Sequence, residues 1–336
     1  LSGLSEKEAW LSLERVNAEV FRPGDTIRLK KGGEWHGMLA PKGSGAPYAP
    51  VILESFGEGA MPAIHGDGSY AAILLEGVSF WIVRGIRVTN RAQERAVRQG
   101  ICICASPLGI TRDIVVEGCE ISDVTGENRR NRDVYQSMYW NSGIYVTIPG
   151  RSCNENRLHN IVIANNYIHD VLTSGIRVNQ QEDFINDIHH THVVVRGNRI
   201  ERTGSDGIIV ANCISPLIDG NTCIDAGALG SLEDTRLIAG IWVCATSNAL
   251  IQRNEVACLK MTGQPLIRTG EPQAIRCSNT TIPMEIKAAS GWTAWASTGT
   301  GTAAGPSCGI ISASMMNAAW YRTTMACPRK FMGTCS

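Results

Sequence analysis

The chain has 336 residues, 43% of them hydrophobic, and its 31 basic and 31 acidic side chains cancel. That is enough apolar material for a sizeable core. Balanced charge removes long-range attraction to nucleic acid or an anionic membrane, so neither is an expected partner, while a neutral glycan is fully compatible.

No run of 18 or more apolar residues is present, so no bilayer span is expected. The sequence opens on Leu1 with no visible signal peptide and reads as trimmed, which leaves export open. The first predicted element is a helix over Ser5 to Val20. Ser5 and Glu8 stand at capping-box spacing, and Trp10, Leu13, Val16 and Val20 recur on one face. Residues 1–21 are thus expected to form an N-terminal α-helical cap over the open end of the strand-rich region that begins at Arg22.

Next come Arg22-Pro23-Gly24-Asp25-Thr26-Ile27-Arg28-Leu29, Gly43-Ser44-Gly45, Pro50-Val51-Ile52-Leu53 and Phe80-Trp81-Ile82-Val83, strands bounded by turn residues. A phrase then recurs as Gly143-Ile144-Tyr145-Val146, Gly175-Ile176-Arg177-Val178, Gly207-Ile208-Ile209-Val210 and Gly240-Ile241-Trp242-Val243, at intervals of 32, 32 and 33 residues. A fixed period of this size marks a stacked repeat. The strands are short and β-branched and no amphipathic helix separates them, which favours a parallel β-solenoid over helical or leucine-rich repeats.

A second column runs in step: Ile86, Cys119, Asn166, Asn198, Asn221 and Asn254. Asn in file on successive rungs is expected to form an amide ladder along the axis. The interval of 23 between Asn198 and Asn221 gives the bare rung. Of the twelve cysteines, Cys102, Cys104, Cys119, Cys213, Cys223, Cys244 and Cys258 lie in or beside strand phrases, and no CxxC occurs. They read as buried free thiols, with disulfides between adjacent rungs as the other reading.

The Pro-Gly-Asp-Thr-Ile opening, the Gly-Ser-Gly before a short apolar strand and the Gly-Asn ladder resemble the right-handed parallel β-helix proteins of the pectate-lyase-like superfamily, over Arg22 to Gly263. The resemblance implies an all-β, single-stranded right-handed parallel β-helix over 22–263, carbohydrate chemistry, and a secreted, periplasmic or cell-surface location. Residues 264–336 read as an irregular tail without the repeat. Codons permitted by Lys287 to Trp292, read two bases on, allow a Gly-Gly-Phe-Gly-Leu run, so a frameshift is one reading of that tail.

By strand alternation the residue between Ile and Val of each phrase points outward, giving a column of Tyr145, Arg177, Ile209 and Trp242. Aromatic and Arg side chains in file suit sugar stacking and hydroxyl or carboxylate contacts. Tyr145, Arg177 and Trp242, with Asn179 and Asn212 beside them, are the expected substrate-binding residues. Insertions over 127–140, 179–191 and 228–239 would wall a cleft on this face.

Glycoside hydrolysis needs two carboxylates, and the cleft region carries Glu182, Asp183, Asp187, Asp206, Glu233 and Asp234. Asp206 leads, because it replaces Ser142 and Ser174 just before the strand Gly; its other reading is a turn-capping Asp. Asp187 is the chosen partner, with Asp183 as substitute. A uronate lyase would instead use Arg177 and Lys260, with Ca2+ at Glu182-Asp183. A non-catalytic glycan binder or adhesin is the third class. His189, His190 and His192 lack companion ligands at metal spacing, so no metal site and no cofactor is assigned, and a monomer acting on an oligosaccharide or polysaccharide is expected.

Overall fold

The computed structural model describes residues 2–94, 96–106, 109–127, 140–148, 157–180, 190–230, 238–257, 267–270 and 276–278. Three parallel sheets make up the described body, of seven, ten and eight strands. In each of them a strand's neighbours come from the preceding and following coils, so the chain climbs one rung per circuit, as in a parallel β-helix. The Gly-Ile-x-Val phrase lies in the seven-stranded sheet, on Ser142–Ile148, Ser174–Gln180, Ile208–Ala211 and Ile241–Cys244.

Register follows the sequence period: Ile144 pairs with Ile176, Ile176 with Ile208 and Ile208 with Ile241. The phrase's Ile and Val side chains join one continuous core with Ile121, Ile168, Ile200, Ile163 and Val195 from the other sheets. Its Gly is required by close approach. A Cβ at Gly143, Gly175 or Gly207 would stand 2.8, 2.6 or 2.9 Å from the side chains of Ile168, Ile200 or Cys223. Those side chains already fill the corner, so any larger residue would push the sheets apart.

The amide ladder is present and fully buried. Asn166 Nδ2 donates to Asn198 Oδ1, Asn198 Nδ2 to Asn221 Oδ1 and Asn221 Nδ2 to Asn254 Oδ1, each at 2.9 Å. Every Oδ1 in this chain also accepts the backbone N–H of the preceding rung. One residue earlier stands a column in the left-handed region: Gly85, Gly118, Asn165, Gly197, Gly220 and Arg253, with φ between 54° and 66°. Gly and Asn tolerate that turn, which accounts for the Gly-Asn dipeptides. Ile86 and Cys119 occupy the ladder column as apolar core residues.

The N-terminus departs from expectation. A 3-10 turn over Glu6–Glu8 is followed by an α-helix of only Leu13–Ala18, and Ser5 makes no side-chain cap bond. The chain leaves the helical path between them, letting Trp10 reach the core while Leu13 and Val16 bury from the short helix. Asn17 pins that helix to the first coil, donating to Met38 O at 2.8 Å and accepting from Ala40 N at 2.7 Å. Val20 is 65% exposed and pairs as a strand with Lys42, so it does not extend the apolar helix face.

Cys102, Cys104, Cys119, Cys213, Cys223 and Cys244 are free and buried. Burial raises all six thiols, Cys104, Cys119 and Cys244 to about 12. Cys258 and the 279–336 stretch lie outside the described residues, as does the segment on which the frameshift reading rests. No helix among the described residues is long and apolar enough to cross a membrane.

Candidate functional site

Along the outer side of the seven-stranded sheet the intervening residues form one file in register: Leu74, Cys102, Tyr145, Arg177, Ile209 and Trp242. A parallel file holds Glu76, Cys104, Thr147 and Asn179, and a third Ala71, Gln99, Ser142 and Ser174. The outward direction is therefore as expected. The exposure is not: Tyr145 and Ile209 are 0% and Arg177 1% accessible, while Trp242 is half-buried.

This corrects the picture of an open stacking platform. Alternation fixes which face a side chain takes, but not whether something covers that face. Here Ala71, Cys102, Cys104 and Tyr145 form a second apolar cluster outside the main core, with Leu74 and Trp140 partly buried against it. Burial pushes the Tyr145 phenol well above its ordinary range, so it acts as a neutral group.

The next rungs change chemistry from apolar to charged. Arg177 Nη2 donates to Ser174 Oγ at 3.0 Å, and the same nitrogen stands 4.0 Å from Asp206 Oδ2. Asp206 is 6% exposed. Its Oδ1 accepts the Ala239 N–H at 2.7 Å, and its Oδ2 accepts from Ser205 Oγ at 3.3 Å. Burial is the main cause of the raised Cys244 thiol, with Arg177 opposing and Asp206 adding to it, so all three share one electrostatic neighbourhood.

Asp206 thus takes the turn-closing role, one of the two readings the sequence offered for it. One carboxylate oxygen closes the turn onto the following rung, and the other faces a guanidinium. Burying two charges costs several kcal/mol unless they are paired and hydrogen-bonded, and a site where that cost is met is a good place to look for function. Ser174, the residue that receives Arg177, reads in the sequence as a mere repeat position.

At the corner beyond this face Asn179 and Asn212 are buried, and the His190 N–H donates to Asn212 O at 2.9 Å. His190 is wholly buried, whereas His192 is exposed with φ of 56° and packs edge-on against His159 at 4.7 Å. The left-handed residue breaks the alternation, so His190 and His192 do not share a face. Asp183, Asp187, Glu182, Glu233, Asp234 and Lys260 lie outside the described residues, as do most of the three insertions.

The described surface also carries a groove of about 360 Å³ lined by Glu54, Arg84, Glu117 and Asn165. Glu54 there is clamped by Arg84 and Arg28, which lower its carboxyl against the opposing effect of burial. Those side chains belong to the ten-stranded sheet, away from Arg177 and Asp206.

Fold and geometry together define a parallel β-helix whose seven-stranded face buries a charged pair beside an apolar cluster. No family model matches the chain. It is 22% identical over 345 aligned residues to a lacto-N-biosidase of Bifidobacterium longum subsp. longum, covering 76% of this chain and 21% of that protein. The crystal structure of a GH136 lacto-N-biosidase from Eubacterium ramulus matches with TM-score 0.66 and 20% identity, over 76% of this chain and 50% of that one. The native form of the same protein matches with TM-score 0.62 and 18% identity, over 75% of this chain and 49% of that one. The chain therefore spans about half the length of the solved relatives and about a fifth of the curated one.

Proposed function

We propose that the chain is a catalytic β-helix of an oligosaccharide-cleaving glycoside hydrolase, acting on glycans of the kind the lacto-N-biosidases are named for. The observation that carries this reading is the buried Arg177–Asp206 pair on the face marked by the repeat, in a chain whose fold is shared with a GH136 lacto-N-biosidase. In this reading Asp206 is the acid or base, and Asp187, or Asp183 in its place, is the second carboxylate that glycoside hydrolysis requires. Arg177, buried beside it, orients the Asp206 carboxylate, and Trp242, half-buried on the same face, supplies a ring face for the sugar.

Hydrolysis is favoured over uronate lysis by the setting of Arg177. Its guanidinium donates to Ser174 and faces a carboxylate, which suits a fixed cation that orients polar groups rather than a proton acceptor. No Ca2+ is required. An extracellular or surface location and action as a monomer fit this role.

The test is a panel of lacto-N-biose-terminated oligosaccharides and uronate polymers, assayed for new reducing ends and for the ultraviolet-absorbing unsaturated product. Reducing ends without unsaturated product are expected from the first group. Unsaturated product from the second would replace the hydrolase by a lyase, and binding without either signal would make the protein a glycan-binding module.

A further inference from the structure

A cluster far from the Arg177 face has metal-ligand chemistry. Glu34, His36 and His65 each offer a ligand atom, and the three atoms lie within 4.8 Å of one another. Backbone geometry produces the cluster directly. Glu34 and His36 are two apart on the strand Glu34–His36, hence on one side of it, and Trp35 between them packs on the core. In the adjoining strand Ala63–His65, His65 is the register partner of His36 and Ala63 that of Glu34. The imidazoles therefore stack, with centroids 5.0 Å apart and planes 29° apart.

The second layer is also in place. His36 Nδ1 lies 2.7 Å from Asp67 Oδ2, and His65 Nδ1 lies 2.7 Å from Thr89 Oγ1. A ring nitrogen engaged by a carboxylate or hydroxyl fixes the imidazole and leaves Nε2 as the ligand atom, the arrangement found behind metal-binding histidines. Two imidazoles and one carboxylate suit a borderline divalent ion of the zinc type better than Ca2+ or Mg2+, which prefer all-oxygen shells.

We propose that Glu34, His36 and His65 form a surface site for a zinc-type divalent ion, with solvent completing the coordination. Glu34–His36 is the terminal strand of the eight-stranded sheet, and its partner strand belongs to the next coil. The bound ion ties the edge coil to its neighbour through side chains, in addition to the backbone ladder. Its role is to hold the exposed end of the solenoid closed, separate from the chemistry proposed at Arg177 and Asp206.

Titration of the chelator-stripped full chain with Zn2+ by calorimetry, and with Co2+ by absorption, tests the site. One ion per chain is expected at this site, with a cobalt spectrum of nitrogen and oxygen ligation and a rise in melting temperature on adding Zn2+. His36→Ala with His65→Ala should abolish that binding and the thermal shift. Asp67→Asn should keep one-to-one binding but weaken it about tenfold, because it releases the ring without removing a ligand. Glu34→Gln supplies the ligand test if the double histidine variant does not fold. Zn2+ binding and stabilisation unchanged in these variants would overturn the site, as would failure of the parent chain to bind either ion.

Discussion

Replacing Asn198 by Ala should be among the most destabilising single changes in this protein. Its Oδ1 accepts from Asn166 N at 3.0 Å and Asn166 Nδ2 at 2.9 Å, while its Nδ2 donates to Ile163 O and Asn221 Oδ1, both at 2.9 Å. Removing the amide orphans two buried donors of Asn166, each costing about 1–3 kcal/mol, so a loss of roughly 4 kcal/mol is expected. Asn221 Oδ1 keeps the Asn198 backbone N–H and adds little.

Asn166→Ala is the informative comparison. There only one donor is orphaned, the Cys119 backbone N–H, which Asn166 Oδ1 accepts at 3.0 Å, so the loss should be about half as large. Equilibrium urea unfolding followed by far-ultraviolet circular dichroism measures both variants, and hydrogen exchange at the Asn166 and Cys119 amides locates the damage. Asn198→Ala costing under about 1 kcal/mol, or no more than Asn166→Ala, would refute the reasoning.

The remaining predictions concern thiols and acid. Native protein treated with iodoacetamide near neutral pH should leave Cys102, Cys104, Cys119, Cys213, Cys223 and Cys244 unlabelled by peptide mapping, because burial keeps all six as thiols; rapid labelling of Cys244 would mean that the face opens. Arg202 holds the Asp170 carboxyl down to about 2 through hydrogen bonds of 2.8 and 2.7 Å, against burial and with help from His169. A depressed carboxyl contributes stability above its unfolded value near 3.8 and loses it as pH falls towards about 2. Asp170 is 36% exposed, so solvent screening leaves about 1 kcal/mol or less. The gap in melting temperature between the parent and Arg202→Met should close between those pH values, and a gap that persists at pH 2 would contradict the assignment.

Much of the fold was legible because the solenoid converts sequence period into spatial register. Asn166, Asn198, Asn221 and Asn254 meet through space for the same reason they recur in sequence, and the phrase's Ile and Val fall inward by alternation. Illegible parts were those set by contacts that periodicity does not encode. Tyr145 and Arg177 were assigned the correct side of the sheet but not their burial, which depends on what lies over the face. The helix expected to reach Val20 stops at Ala18, since Trp10 needs an extended segment to reach the core and Val20 is taken up in pairing with Lys42. His190 and His192, two apart and so on one face of an extended strand, separate because one left-handed residue resets the alternation.

At the site itself, Asp206 stood out by breaking a Ser column, and its contacts with Ala239 N and Arg177 show why the position tolerates a carboxylate. Ser174 carried no comparable signal, being a repeat residue like Ser142. Glu34, His36 and His65 escaped notice because 29 residues separate the two histidines, and only the register of adjoining coils brings them together.

Turnover by Asp206→Asn, set against Asp206→Ala, bears most directly on the proposed hydrolase. Asn retains an Oδ1 that can accept the Ala239 N–H, so Asp206→Asn should keep the turn, lose some stability because Arg177 no longer faces a carboxylate, and, assayed well below its melting temperature, lose at least about a hundredfold in kcat on the lacto-N-biose-terminated substrate, as expected on removing a general acid or base. Asp206→Ala should lose both activity and stability. Parent-level kcat in a correctly folded Asp206→Asn protein would show that the carboxylate only closes the turn, and would remove this face as the site of bond cleavage.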